Sequence, residues 1–260
     1  MRVADLRVEL GIHAPREVIR GVGLDLYSGA MHGLVGETGS GKSITARAIV
    51  GLLPQGGRIT AGSIRLNDRE LVDLDTKTFR AIRGREIGTI FQNPRTALYP
   101  MLDVQTQMMN IIQSHYSMRK KDRLARVREY LGLAGISDVD RVARSYGHEL
   151  SGGLAQRVVI ATALVCEPRI VIADEPTTGL DATVQRQILE LLVDLQARLN
   201  LSILMITHDL AIVAQYCDLV SVMRDGVIVE HGVMKDIMRN PENGYTRSLL
   251  DASLLANLRI

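Results

Sequence analysis

Apolar residues cluster at strand spacing in three early stretches, 3–10, 22–27 and 31–35, which glycine and proline separate. A glycine-rich turn follows. Ile44, Ala48 and Leu52 then recur at helical intervals, which predicts a helix over 43–53. Further strands are predicted over 63–66 and 86–91. From about 96 to 147 the pattern turns helical, with charged faces and few β-branched runs. Beyond it strands and helices alternate: strand 170–173, helix 183–199, strand 202–207, helix 210–217 and strand 219–223. Alternation of this kind predicts an α/β fold with a mostly parallel sheet and right-handed crossovers. The expected organisation is one domain over 1–260: an α/β core from 1–95 and 148–240, a helical insertion at 96–147 and a tail at 241–260.

At 260 residues with 46% apolar composition, the chain holds enough material for a buried core and is no disordered tail. A net charge of +2 gives no strong field towards nucleic acid or anionic lipid. Cys166 and Cys217 lie far apart, which excludes a disulfide framework and a cysteine-rich metal site and fits a reducing compartment. Arg2, Asp5, Arg7 and Glu9 interrupt the N-terminus, so no secretory segment is expected there. The apolar stretch 158–166 falls well short of the ~20 residues a bilayer span requires. A cytoplasmic chain is expected, reaching a membrane only through a partner. Arg119, Lys120, Lys121, Arg123, Arg126 and Arg128 form a basic cluster without interleaved aromatics, so it reads as a solvated helix face, not a nucleic-acid patch.

Gly36-Glu37-Thr38-Gly39-Ser40-Gly41-Lys42-Ser43 fits G-x-x-x-x-G-K-[ST] between a predicted strand and a predicted helix. Glycines let the backbone wrap a phosphate chain with its N–H groups turned inward, and the helix beginning near Lys42 aims its positive end at the same anion. Lys42 is expected to reach the β- and γ-phosphates of a nucleotide, and the Ser43 hydroxyl to ligate Mg²⁺. The uninterrupted apolar run 170–173 reads as a central parallel strand, and it ends in Asp174-Glu175-Pro176. Ligands of open α/β sheets gather at the carboxyl ends of strands. Asp174 is therefore expected to hold the Mg²⁺ shell, and Glu175 to act as general base on the attacking water.

Leu150-Ser151-Gly152-Gly153-Leu154-Ala155-Gln156-Arg157 precedes the apolar run 158–166. Ser151 is a good N-cap and the two glycines expose N–H groups at a helix start, which suits a second phosphate-binding terminus or a plain capped helix. With these residues the chain resembles the ATP-binding-cassette family, whose signature loop is L-S-G-G-x-x-Q-R ahead of a D-E-P strand. The likeness covers nearly the whole chain. Gln92, in Ile90-Phe91-Gln92-Asn93-Pro94, matches the family's Q-loop, which touches Mg²⁺ and reports to the membrane subunit. Gly179-Leu180-Asp181 matches the D-loop that crosses to the opposite protomer, and His208 matches the switch histidine, placed to sense the γ-phosphate.

The resemblance implies a P-loop NTPase core with an N-terminal antiparallel β portion and an inserted helical subdomain. It also implies a dimer in which Ser151, Gly152 and Gly153 serve the partner's ATP. One departure stands out: the family stacks adenine on an aromatic residue about thirty positions before the P-loop lysine, and here that count reaches His13 with no Trp, Tyr or Phe nearby. The run from Phe91 to Pro100, together with Asn240-Pro241 and Gly244-Tyr245-Thr246-Arg247-Ser248-Leu249-Leu250, resembles the peptide/nickel importer ATPases. That group implies a second ATPase chain, more often different than identical, two polytopic permease subunits and an extracytoplasmic substrate-binding protein, at the cytoplasmic face of the inner membrane. The Gln92-Asn93-Pro94-Arg95 spelling and the short tail resemble the nickel branch, so nickel or a nickel chelate is the expected cargo, with di- or oligopeptides as the alternative. A soluble member of the family serving DNA repair or translation is the rival class.

Overall fold

The computed structural model describes residues 1–257, with side-chain surroundings described through Ala252; residues 258–260 of the expected tail lie outside the described residues. In chain order come β1 (Arg2–Leu10), β2 (Arg16–Asp25), β3 (Met31–Val35), α1 (Lys42–Ile49), β4 (Arg58–Leu66), β5 (Arg69–Glu70), α2 (Thr76–Ile82) and β6 (Ile87–Ile90). The helices α3 (Pro94–Ala97), α4 (Val104–His115), α5 (Lys120–Leu133), α6 (Val139–Arg144) and α7 (Gly152–Leu164) follow. The chain continues with β7 (Ile170–Asp174), α8 (Ala182–Leu199), β8 (Ser202–Thr207), α9 (Leu210–Tyr216), β9 (Leu219–Arg224), β10 (Val227–Val233), α10 (Met234–Arg239) and α11 (Gly244–Asn257). None of the described helices is long and apolar enough to cross a membrane.

Two compact units divide the chain: Met1–Arg80 with the segment from Ser202 onward, and Ala81–Leu201. In the first unit, β1 pairs antiparallel with both β2 and β4, and β5 continues from β4. β1 buries Val3, Leu6 and Val8, and the odd step from Val3 to Leu6 is absorbed by an irregularity in the pairing at Asp5, whose φ is 45°. The same unit carries a second set of strands in which β3 runs parallel to both β8 and β9. Leu34, Val35, Ile203, Leu204, Met205, Ile206, Val220 and Val222 are wholly buried there, which explains why 203–206 reads as an unbroken apolar run.

The sheet is mixed at one end, because β10 folds back antiparallel on β9. The connection is the two-residue turn Asp225-Gly226, with φ of 50° and 81°. Positive φ at both central positions is the primed-turn geometry that matches strand twist, and Asp-Gly supplies it at low cost. In the second unit β6 and β7 pair parallel, and α3 to α8 surround the rest of the segment. Every residue of β7 is buried.

Three predicted elements have other bounds; the strand expected over 63–66 begins at Arg58, where it pairs with Glu9 of β1. The helix expected over 43–53 spans only 42–49, because Gly51 takes a left-handed φ of 62° and the Gly51 and Leu52 N–H groups bond back to the Ala48 and Arg47 carbonyls. That pair of bonds is a Schellman stop, so Leu52 and Leu53 leave the helix although their spacing continues it. The strand expected over 22–27 begins instead at Arg16, since β1 supplies pairing partners as far as its own Leu10.

Candidate nucleotide site

Residues 36–43 connect β3 to α1 in the first unit, and the loop's shape is set by contacts that only glycine permits. A Cβ on Gly36 would lie 2.0 Å from the Met223 carbonyl oxygen. One on Gly41, whose φ is 110°, would meet Ile19 at 2.7 Å and the Met223 methyl at 2.8 Å. The loop therefore runs flush against the end of β9, and the Gly226 N–H at the tip of the following hairpin holds the Ser40 carbonyl at 2.9 Å. Gly39 differs: its φ is 87°, and nothing lies within 4 Å of the place a Cβ would take. Open space at the crest of a loop otherwise packed this tightly fits an anion cradled by backbone N–H groups. Gly41 also offers α1 no capping side chain, so the helix start is left for an anion.

Lys42 opens α1 and is only 5% exposed. Its ammonium donates to the Gly36 carbonyl at 2.7 Å and to the Glu37 carbonyl at 2.8 Å, with the Ser40 hydroxyl at 3.5 Å. A buried cation survives only when its donors are occupied, and here the loop itself occupies them. Ser43, half-buried, follows on the first turn, while Glu37, Thr38 and Gly39 form the exposed crest. His208 is exposed at the carboxyl end of β8; its neighbour Asp209 caps α9 by accepting from the Ala211 N–H at 2.8 Å. His13, at the position reached by the adenine-stacking count, is exposed, and Ile12 beside it is 62% exposed.

The second unit carries four acidic and polar groups here, Asp174, Glu175, Gln92 and Thr178, and hydrogen bonds tie the last three together. Asp174 closes β7 and is buried. Glu175, next in the chain, sits at φ 47°, a left-handed backbone that is uncommon for any residue but glycine and that recurs at working sites. Its Oε2 accepts from Gln92 Nε2 at 2.9 Å and from the Thr178 hydroxyl at 2.7 Å. A carboxylate can only accept, so it fixes the orientation of the Gln92 amide with nitrogen towards Glu175. The carbonyl end of Gln92 is then the one that suits a cation. The sequence reading did not single out Thr178, although its place three residues after the acid is where a turn returns a hydroxyl to a side chain.

Ser151 caps α7, its hydroxyl accepting from the Leu154 N–H at 3.4 Å. The two signature glycines have a packing role as well: a Cβ on Gly153 would come within 2.8 Å of Val184 in α8, and one on Gly152 within 3.3 Å of Leu180. Asp181 caps α8 through the Thr183 and Val184 N–H groups, at 3.1 and 3.0 Å. Within this unit the signature segment and the Gly179-Leu180-Asp181 segment are thus held against each other. The basic cluster of α5 is largely consumed internally. Arg119 pairs with Asp122 at 2.9 Å, Arg126 with Glu167 at 2.8 Å and Arg128 with Asp140 at 2.9 Å.

A sequence profile of the family described as ABC transporter matches residues 19–178. The dipeptide transport ATP-binding protein DppD of Bacillus subtilis is 46% identical over 235 residues, which span 90% of this chain and 70% of that protein. The oligopeptide transport ATP-binding protein AppD of the same organism is 44% identical over 237 residues, 91% of this chain and 72% of that one. Among solved structures, the dimeric post-hydrolysis state of the ATP-binding cassette MJ0796, bound to ADP and Pi, matches with a TM-score of 0.79 at 26% identity, over 90% of this chain and 98% of that chain. The cbiO1 protein of Clostridium perfringens, part of the cbiONQ transporter complex, matches with a TM-score of 0.78 at 28% identity, over 93% of this chain and 91% of that one.

Proposed function

We propose, because this chain belongs to the ABC transporter family, that it powers a dipeptide or oligopeptide importer as one of its ATP-binding subunits. That it is an ABC-type ATPase coupled to transport follows from the family itself. The peptide cargo rests on one observation: identities of 41–46% run over 90% or more of this chain to proteins named for dipeptide or oligopeptide transport. This places the peptide reading ahead of the nickel reading taken from the Q-loop spelling and the tail. In either case the cargo is selected by other subunits, so no residue of this chain needs to recognise it.

The roles we assign are supported by the geometry around each residue. Lys42 and the N–H groups of 36–43 bind the ATP phosphates. Ser43, Asp174 and the carbonyl end of Gln92 would each offer an oxygen to Mg²⁺, which would supply charge neutralisation on the phosphate oxygens. Glu175, oriented by Gln92 and Thr178, accepts the proton of the attacking water. His208 hydrogen-bonds the terminal phosphate from the end of β8. Ser151, Gly152, Gly153 and Asp181 act on the nucleotide of a second ATPase chain, a reading supported by the dimeric ADP-bound cassette to which this fold is similar. We further assign the segment 96–147 as the helical insertion, and a different ATPase chain, two permease subunits and an extracytoplasmic binding protein as partners, with this chain at the cytoplasmic face of the membrane.

Deletion of the gene tests the cargo. Uptake of labelled di- and oligopeptides is expected to fall to background while uptake of radiolabelled nickel stays at the wild-type rate. Lost nickel uptake with intact peptide uptake would overturn the peptide assignment and leave the ATPase assignment in place.

A further inference from the structure

In sequence the segment 244–250 carries a subgroup resemblance and no role. In the structure it starts α11, and its tyrosine reaches the phosphate loop. Tyr245 is 8% exposed, and its hydroxyl accepts from the Glu37 backbone N–H at 3.0 Å. That N–H belongs to the same peptide unit as the Gly36 carbonyl, which Lys42 holds at 2.7 Å. A peptide unit is planar. One rigid plate in the loop is therefore gripped at both ends, by a helix 208 residues away in sequence and by the loop's own cation. Turning the plate over would break both bonds at once.

The tyrosine is itself fixed from several sides. The Arg224 guanidinium lies 4.8 Å from its ring centroid, in cation–π contact. Asn243 Oδ1 accepts from the Tyr245 N–H at 2.9 Å, and the Glu230 carboxylate accepts from the Glu242 and Asn243 N–H groups at 2.8 and 3.2 Å. The chain thus runs from β10 through the 242–243 turn to the ring with a bond at each step. Burial raises the phenol's pKa above its ordinary value, so the hydroxyl keeps its proton throughout the physiological range.

We propose that Tyr245 is a positioning residue of the phosphate loop, whose hydroxyl locks the Gly36–Glu37 peptide in the orientation that Lys42 requires. This rests on the reading of 36–43 as the ATP site. It makes α11 a strut for nucleotide binding in addition to a cover for α9. The hydroxyl acts on loop geometry before any chemistry, so its removal affects binding and spares turnover once ATP saturates the site.

Tyr245→Phe keeps the ring, its burial and its stacking on Arg224, and removes only the acceptor. Losing one hydrogen bond of this kind corresponds to an increase of about three- to tenfold in the Kd for a fluorescent ATP analogue, with kcat at saturating ATP within about twofold of wild type. Asn243→Ala leaves the hydroxyl in place but loosens the start of α11, and is expected to raise Kd in the same direction by less. Lys42→Ala, measured alongside, separates the two levels of inference. If it binds the analogue as wild type does, the ATP-site reading itself fails. If it loses binding while Tyr245→Phe keeps the wild-type Kd, or if Tyr245→Phe lowers kcat with Kd unchanged, the positioning role alone is overturned.

Discussion

Glu175→Gln is expected to lower ATP turnover by about a hundred- to ten-thousandfold, the usual contribution of a placed general base, while ATP binding stays within about threefold of wild type. The substitution is nearly isosteric, and the two groups that hold the carboxylate survive it. Gln92 Nε2 and the Thr178 hydroxyl both donate to Oε2, at 2.9 and 2.7 Å, and an amide oxygen can accept both bonds. What the amide cannot do is take a proton from water. The left-handed backbone at φ 47° depends on the turn that the Thr178 N–H closes on the Glu175 carbonyl at 3.2 Å, and that turn involves no side-chain atom of Glu175. The fold is thus preserved and the chemistry removed. Phosphate release under saturating ATP, read together with binding of a fluorescent analogue, checks both halves, and the variant is expected to accumulate as an ATP-bound dimer by size-exclusion chromatography. Turnover near the wild-type rate would remove Glu175 from the role of base; lost binding would make it a ligand-binding residue instead.

The parts of this molecule that were legible in sequence are those whose cause is local. The strands β3, β7 and β8 are buried on both faces, and in β7 and β8 that environment writes four consecutive apolar residues, 170–173 and 203–206. The phosphate loop was legible because its whole pattern fits within eight residues, although Gly36 and Gly41 answer to the close approach of Met223, far away in sequence. Where the deciding contact is distant, reading failed. Arg16, Glu17 and Arg20 look like a charged turn until β1 is seen to pair with them. Two other features have local causes that periodicity alone does not carry: Gly51 ends the helical spacing that Leu52 and Leu53 continue, and Asp225-Gly226 turns the chain into β10. At the site, the residue types were legible but their grip on one another was not. Gln92 and Glu175 stand 83 residues apart, and Glu37 and Tyr245 stand 208 apart, so no spacing rule connects them. The cargo was the least legible property of all, because on the proposed role other subunits select it. There, similarity along the whole chain was informative where single motif spellings were not.

Lys42→Ala and Ser151→Ala are expected to disable different nucleotide sites, although both lie on this chain. Lys42 supplies the buried ammonium of the phosphate loop, 5% exposed and bonded to two loop carbonyls. Alanine removes the charge meant for the phosphates and also the tie that holds the Gly36–Glu37 peptide. The loss of charge-assisted hydrogen bonds of this kind corresponds to about a ten- to hundredfold weaker Kd on the same chain. Ser151 is exposed at the start of α7, and its bond to the Leu154 N–H at 3.4 Å is a cap. Losing that cap costs about 1 kcal/mol of stability, which α7 tolerates because its other face is buried core from Ala155 to Leu164. The fold and this chain's own phosphate loop are therefore expected to be spared, and in the proposed shared-site dimer the functional loss falls on the nucleotide held by the other ATPase chain. Each variant is to be co-purified with its partner ATPase and labelled with an azido-ATP analogue, so that label is counted chain by chain. Lys42→Ala is expected to lose label on this chain and keep it on the partner. Ser151→Ala is expected to keep label on this chain while labelling and turnover fall at the partner's site. Loss of label on this chain in both variants would show the signature loop acting on its own chain's ATP, and would overturn the shared-site dimer.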